Sequence, residues 1–239
     1  MALLVWEATT RALHLVYFPP PSAIARRFAE VWLSEQALGN AGPSLTRLVA
    51  GWAVACVAGI GAGTVIGRLP RLAGYLAPLV HFGRSTPPPA LIPLFMALAG
   101  IGSPLQLTTI VFGTIWPVLL NTIDGTRHVE AAHLDVATIF GLTRVERLRL
   151  VILPAAAPKI FAGLRISVSL ALILMVISEL VGSTEGIGRR MLEDQTAFDI
   201  PAMWASIMLL GLLGFAFNTL FLRAERRILA WHYSATAQV

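Results

Sequence analysis

Residues 48–67, 105–123 and 200–222 carry no charged side chain, and Arg47, Arg68, Asp124, Asp199 and Arg223 stand at their edges. A hydrocarbon core about 30 Å thick is crossed by about 20 apolar residues in an α-helix. In lipid each backbone N–H and C=O has to be satisfied without water, so a run of this kind folds as a spanning helix or packs inside a bundle of them. Only 13% of the 239 residues are charged and 56% are hydrophobic, whereas a soluble domain carries about 25% charged residues. These proportions exclude an ordinary soluble domain and point to several bilayer spans in one unit.

Two further segments complete the set. Residues 72–100 form a long apolar stretch that contains Pro78, Arg84, Pro87-Pro88-Pro89 and Pro93. Proline lacks the backbone donor and clashes with the preceding turn, so this helix is expected to be kinked or interrupted. Broken backbone at membrane depth survives only where protein or a wet cavity covers it. Residues 160–181 are apolar apart from Arg165 and Glu179. The expected fold class is therefore all-α: a polytopic membrane protein with five clear transmembrane helices, a truncated first one for which only Met1 to Trp6 remain, and an amphipathic surface helix. It forms a single domain over residues 1–239 with its core at 44–227. Gly59, Gly61, Gly63 and Gly67 in the first clear span supply small-xxx-small pairs that let helices approach closely.

Ahead of that span, Ser22 can cap a helix following Pro19-Pro20-Pro21, with Ile24, Phe28, Val31 and Trp32 on one face. This helix lies either on the membrane surface or against the protein's own outer face. The sole cysteine, Cys56, excludes both an internal disulfide and a paired-cysteine metal site. No metal cluster, nucleophile triad or phosphate-binding GxxxxGK[ST] loop is present, and Lys159 is the only lysine. The net charge of +5 comes from arginines placed between apolar runs, an arrangement that suits lipid head groups and not nucleic acid. One side collects Arg68, Arg71, Arg127, Arg144, Arg147, Arg149, Lys159, Arg165, Arg223, Arg226 and Arg227; the other has fewer basic residues, mixed with Glu30, Glu35, Glu185, Glu193, Asp194 and Asp199. The excess of arginine places the first side in the cytoplasm, and with it residues 124–159 and the C-terminus.

The polar stretch 124–159 carries the most information. His128 to Phe140 has helical composition and ends at Gly141, and Thr143 with Glu146 forms a capping box for a second helix that stops at Leu153-Pro154. The result is an ordered projection of two short helices joined by a tight turn, with Ala137, Ile139, Phe140 and Leu142 as apolar contact surface. Asp135-Val136-Ala137, three residues, Gly141, nine residues, then Val151-Ile152-Leu153-Pro154 resembles the cytoplasmic "EAA" loop of binding-protein-dependent ABC importer permeases. The literal Glu130-Ala131-Ala132 is out of frame. The pieces "FPPPSAI" (18–24), "ALIPLF" (90–95), "LPAAAPKIFAGLR" (153–165) and "SELVGSTEGIG" (178–188) resemble the nitrate/sulfonate/taurine branch of that family.

The resemblance implies the type I ABC importer permease fold and an inner-membrane importer subunit for a small anionic solute. It implies a cytoplasmic ABC ATPase dimer that binds the ATP, a second permease copy as homodimer partner, and a periplasmic or lipid-anchored solute-binding protein. The chain itself needs no cofactor and is not an enzyme. The coupling loop falls on Asp135, Val136, Ala137, Phe140, Gly141, Leu142, Leu153 and Pro154. Arg84, Pro88 and Glu179 are candidates for the translocation path, since ionisable groups within spans are costly and face the bundle interior. Arg84 either attracts an anion or snorkels to the interface; Glu179 either joins a gate or pairs with a neighbour. An ion-gradient-driven carrier is the alternative.

Overall fold

The computed structural model describes residues 1–13, 15–34 and 37–231; Glu35, included in the charge reading above, and the C-terminal eight residues lie outside them. The described residues are helical: α1 (Ala2–Leu13), α2 (Pro21–Trp32), α3 (Ala37–Arg68), α4 (Pro70–Ser85), α5 (Ile92–Ala99), α6 (Ser103–Arg127), α7 (Ala131–Ile139), α8 (Arg144–Arg147), α9 (Leu153–Gly182), α10 (Ile187–Thr196) and α11 (Ile200–Ile228).

Among the described residues, four helices are long and apolar enough to cross a membrane: Gly39–Arg68, Ser103–Arg127, Arg144–Gly182 and Ile200–Ile228. The fifth expected span, 72–100, is broken as its prolines require. It is divided into α4, an extended Thr86-Pro87 step, a 3₁₀ turn at Pro88–Leu91, and the short α5. So the five spans resolve into four continuous helices and one interrupted segment.

The bundle is built on α6, which packs between α3 and α9. On α3, Gly51, Ala55, Gly59, Gly63 and Gly67 recur every four residues and form one stripe along the helix. Ala55 is fully buried. A Cβ added at Gly51, Gly59, Gly63 or Gly67 would stand within 3.0 Å of Ile110, Val118, Thr122 or Thr126 respectively. Two helix backbones therefore touch along the stripe, the small-residue packing that membranes favour. Gly61 faces open space and is no part of it. Thr109, Thr114, Thr122 and Thr126 are fully buried, and each hydroxyl donates to the carbonyl four residues back. Their polarity is thus satisfied within α6, and the Thr122 methyl packs beside Gly63 of α3.

The amphipathic helix α2 packs on α11 and not on a membrane surface alone. Ile24 and Trp32 are buried, and Phe28 and Val31 join the core cluster around Leu48, Ile110 and Met175. Ser22 is not its cap: Pro20 holds that position without a side-chain bond. Instead Glu7 of α1 receives both the Ser22 N–H (3.0 Å) and the Ser22 hydroxyl (2.7 Å). A carboxylate at the first turn satisfies an orphan donor and suits the positive end of the helix dipole.

The middle of α2 is fixed by charge. Arg27 binds Asp199, which also accepts from the Ala202 N–H to cap α11, and Arg190 pairs with Asp194 at 3.0 Å in the same cluster. The Arg27 guanidinium holds the Asp199 carboxyl below the usual carboxylate range, whereas burial pushes the Asp194 carboxyl up. A depressed carboxyl stabilises the fold above its unfolded pKa and loses that contribution as the pH falls through the folded value. Asp194 acts with the opposite sign. Acid below about pH 4 is therefore expected to loosen α2 from α11, and Asp199→Asn should flatten that part of the profile. Thermal unfolding of the detergent-solubilised chain between pH 3 and 7 tests this; equal acid slopes for both proteins would refute it.

Candidate functional site

The turn between α7 and α8 is set by one glycine. Gly141 has φ +65°, the left-handed conformation that glycine adopts at least cost. The Leu142 N–H donates to Ala137 O and the Gly141 N–H to Thr138 O, both at 3.0 Å. These two bonds are a Schellman motif, which satisfies the last carbonyls of α7 and reverses the chain. Thr143 then begins α8 with the expected capping box: its hydroxyl accepts from the Glu146 N–H, and Glu146 accepts from the Thr143 N–H at 2.8 Å.

From there the structure departs from the sequence expectation. The second helix does not stop at Leu153-Pro154. A π turn over Leu148–Ile152 joins α8 to α9, with the Leu153 N–H bonded to Leu148 O. Pro154 would clash with the carbonyl four residues earlier in a regular helix. Widening the turn by one residue moves that carbonyl aside, so the proline is absorbed and the helix continues. The result is one rod from Arg144 to Gly182, 39 residues long, or about 58 Å at 1.5 Å per residue. That is nearly twice the hydrocarbon thickness. Leu153 and Pro154 therefore sit inside the rod, not at its end.

The exposed surface of the turn also needs one correction. Ala137 is 1% exposed and lies inside the projection, where α7 packs on the π turn. It is unavailable to a partner. Ile139 and Phe140 are 82% and 77% exposed, and Val136, Val145 and Leu150 are exposed too. Leu142 is half-buried, and Asp135 and Gly141 are open to solvent. Apolar side chains clustered on a polar projection mark a contact surface. Arg144 and Arg149 flank it.

At the opposite end of the rod, Glu179 is fully buried. Its carboxylate accepts from the Ser44 hydroxyl at 2.6 Å and from the Gly188 N–H at 2.9 Å, with Arg47 Nη1 at 3.6 Å. Ser44 in turn accepts from the Ile187 N–H. Arg47 reaches on to Ser103 at the start of α6 and to the Glu185 carboxylate. Glu179 thus knots α3, α9 and α10 together. Gly186 and Gly188 are needed there, since a Cβ at either would stand within 3.0 Å of an atom of Glu179. Glu179→Ala leaves the buried Gly188 N–H without its acceptor and removes the short Ser44 bond, and should cost about 2 kcal/mol. Thermal unfolding in detergent measures the loss, and an unchanged midpoint would rule out the knot. Ser44 and Arg47 escaped the sequence reading because they precede the apolar run by one turn, where polar residues look like ordinary flanks.

Of the three candidates for the path, Pro88 packs beside Gly113 of α6, where Leu174 of α9 also touches. Arg84 is exposed in the last turn of α4, two residues before the break, and makes no ion pair or hydrogen bond among the described residues. Glu179 lies apart from both, on α9 in the knot with α3 and α10. Trp116, next to the break, stacks edge-on against Phe112, which stacks against Phe95. Trp52 donates to Ser167 at 2.7 Å and Trp204 to Tyr17 O at 3.0 Å, so the tryptophans act as packing aromatics.

Three comparisons with known proteins bear on this arrangement. The family described as binding-protein-dependent transport system inner membrane component matches residues 55–230. The protein of Bacillus subtilis (strain 168) assigned as the aliphatic sulfonates transport permease SsuC is 30% identical over 216 residues, covering 90% of this chain and 78% of that one. The taurine transport system permease protein TauC of Escherichia coli (strain K12) is 27% identical over 237 residues, covering 96% and 86%. In three dimensions a chain of the MetNI methionine ABC transporter, solved in inward-facing conformations, superposes with a TM-score of 0.69 over 80% of this chain and 95% of that chain, at 16% identity.

Proposed function

The chain belongs to the binding-protein-dependent transport system inner membrane component family, and from that premise we propose that it is one of two permease copies around a shared solute path, moved by a separate cytoplasmic ATPase pair. The observation that carries the reading is mechanical. The exposed apolar turn at Val136, Ile139 and Phe140 is covalently continuous, through α8 and the π turn, with a membrane-spanning helix. Force applied to the turn is delivered to the span without a flexible joint. The ATPase pair closes on ATP, each subunit grips one turn, and the two rods tilt to change which side of the membrane the path opens to. ATP binds to that partner; this chain transmits and does not hydrolyse.

In this reading the loop lies in the cytoplasm of a cell with the chain in its inner membrane, and a solute-binding protein docks on the opposite face. The solute is a small anion of the sulfonate kind. Two things support this: the solutes named for the SsuC and TauC relatives, and the position of Arg84. That cation lies at a helix break and carries no ion pair among the described residues. An ion-gradient carrier would need a buried acid free to load a cation, and the carboxylate of Glu179 is already occupied by Ser44, Gly188 and Arg47.

The test is uptake of a sulfonate into vesicles holding the chain with its co-purifying subunits. Depleting ATP with the ion gradient held should abolish uptake, and Phe140→Asp should release the ATPase during purification. Uptake that persists without ATP and collapses with the gradient would make this a secondary carrier.

A further inference from the structure

A recess of about 490 Å³ opens between α9 and α11, lined by Arg165, Leu222, Glu225 and Arg226. Its depth follows from the sequence. The uncharged run 200–222 of α11 is about 34 Å long as a helix, enough to cross the hydrocarbon core. Leu222 therefore stands at the boundary and Arg223, Glu225, Arg226 and Arg227 at head-group level. Arg165 is held at the same level, its guanidinium donating to both oxygens of Glu225 at 2.6 and 2.7 Å. Glu225 is buried, so this pair forms a fixed inner wall. It balances its own charge. Arg226 adds an exposed guanidinium that has no ion pair among the described residues, and Arg223 and Arg227 lie beside it.

We infer that this recess binds the head group of an anionic phospholipid. The ligand chemistry is a phosphate diester, met by the Arg226 fork in the bidentate geometry that guanidinium favours. Leu222 gives the first acyl carbons an apolar wall, which an inorganic phosphate ion would not use. Basic pockets between spanning helices at the head-group level hold acidic lipids in this way. The site needs only that the chain is embedded in a bilayer. It stands or falls separately from the ATPase reading and from the identity of the solute.

The experiment uses the full chain with its co-purifying subunits in mild detergent. Phosphatidylglycerol or phosphatidylcholine is titrated in and bound lipid is counted by native mass spectrometry. The wild-type protein should prefer phosphatidylglycerol by about five-fold, the effect of one arginine near a head group. Arg226→Gln should bring the two lipids close to parity. Arg71→Gln, which removes an exposed arginine from the start of α4, should keep the preference, and excess inorganic phosphate should not displace the lipid. The site is refuted if Arg226→Gln and Arg71→Gln reduce the preference equally, if the wild-type protein shows none, or if inorganic phosphate displaces the lipid.

Discussion

A Gly63→Leu variant is expected to fail to survive extraction as a folded protein, while Gly61→Leu, two residues away, behaves like the wild type. At Gly63 even a Cβ would lie 2.6 Å from Thr122 Cβ and 2.9 Å from the carbonyl oxygen of Leu119. The second contact decides the outcome. A side chain can rotate away, but a helix carbonyl is held in its own hydrogen bond, so the two helix axes must separate. Because Gly51, Gly59 and Gly67 lie on the same stripe against α6, separation at Gly63 opens the contacts above and below it as well. Overpacking a well-filled core costs about 1–3 kcal/mol, and here several contacts are lost with it. Lipid offers no hydrophobic drive to push the helices back together. Gel filtration after detergent extraction gives the readout: a sharp peak for Gly61→Leu and aggregate for Gly63→Leu. A sharp peak for both would mean that α3 and α6 are not held by backbone contact.

Most of the spans could be read in the sequence because their cause is local. Absence of charge over about 20 residues is a property of the run itself, and the prolines of 78–93 name the place where the remaining segment must break. The Gly141 turn was legible for the same reason, since the Schellman bonds and the Thr143–Glu146 box involve residues at most five apart. Continuity across Leu153-Pro154 was not. Leu-Pro reads as a stop because proline ends a regular helix, and nothing in the residue types announces a π turn that absorbs it. The consequence for mechanism is large: two loop helices hinged at Pro154 would lose much of a partner's stroke at the hinge, whereas a single rod delivers it.

The polar joints were least legible, because their partners are far apart in the chain. Glu179 stood out as an acid within a span, but its choice between gate and pairing depended on Ser44 and Arg47, more than 130 residues away. Ser22 was misread for a related reason. The cap it appeared to supply comes from Glu7, fifteen residues earlier, and only the folded arrangement of α1 against α2 brings that carboxylate to the helix end. Ala137 shows the converse error: a small apolar residue next to exposed ones shares their pattern, yet it faces inward because α7 rests on the π turn.

Gly141→Val is expected to lower solute uptake at least ten-fold while the subunits still assemble. The side chain itself meets nothing, since the space around Gly141 is open. The whole effect therefore comes from the backbone: a β-branched residue at φ +65° is disfavoured by about 1–2 kcal/mol, comparable to the 1.4 kcal/mol that makes a factor of ten. Relieving that strain means giving up the bond from the Leu142 N–H to Ala137 O, which swings α7 relative to the rod and takes Ile139 and Phe140 out of register with α8. A partner can still bind the displaced apolar patch, but its motion no longer enters the rod along the same line, so ATP is hydrolysed without transport. Gly141→Asn separates this account from a simple loss of space, because asparagine tolerates the left-handed conformation far better than valine. It should keep most of the uptake although its side chain is of similar size. Uptake per assembled complex, with ATP hydrolysis measured alongside, gives both numbers. If asparagine and valine reduce uptake equally, the turn works by admitting a partner's side chain against Gly141 and not by its backbone angle; if neither reduces it, the stroke does not pass through this turn.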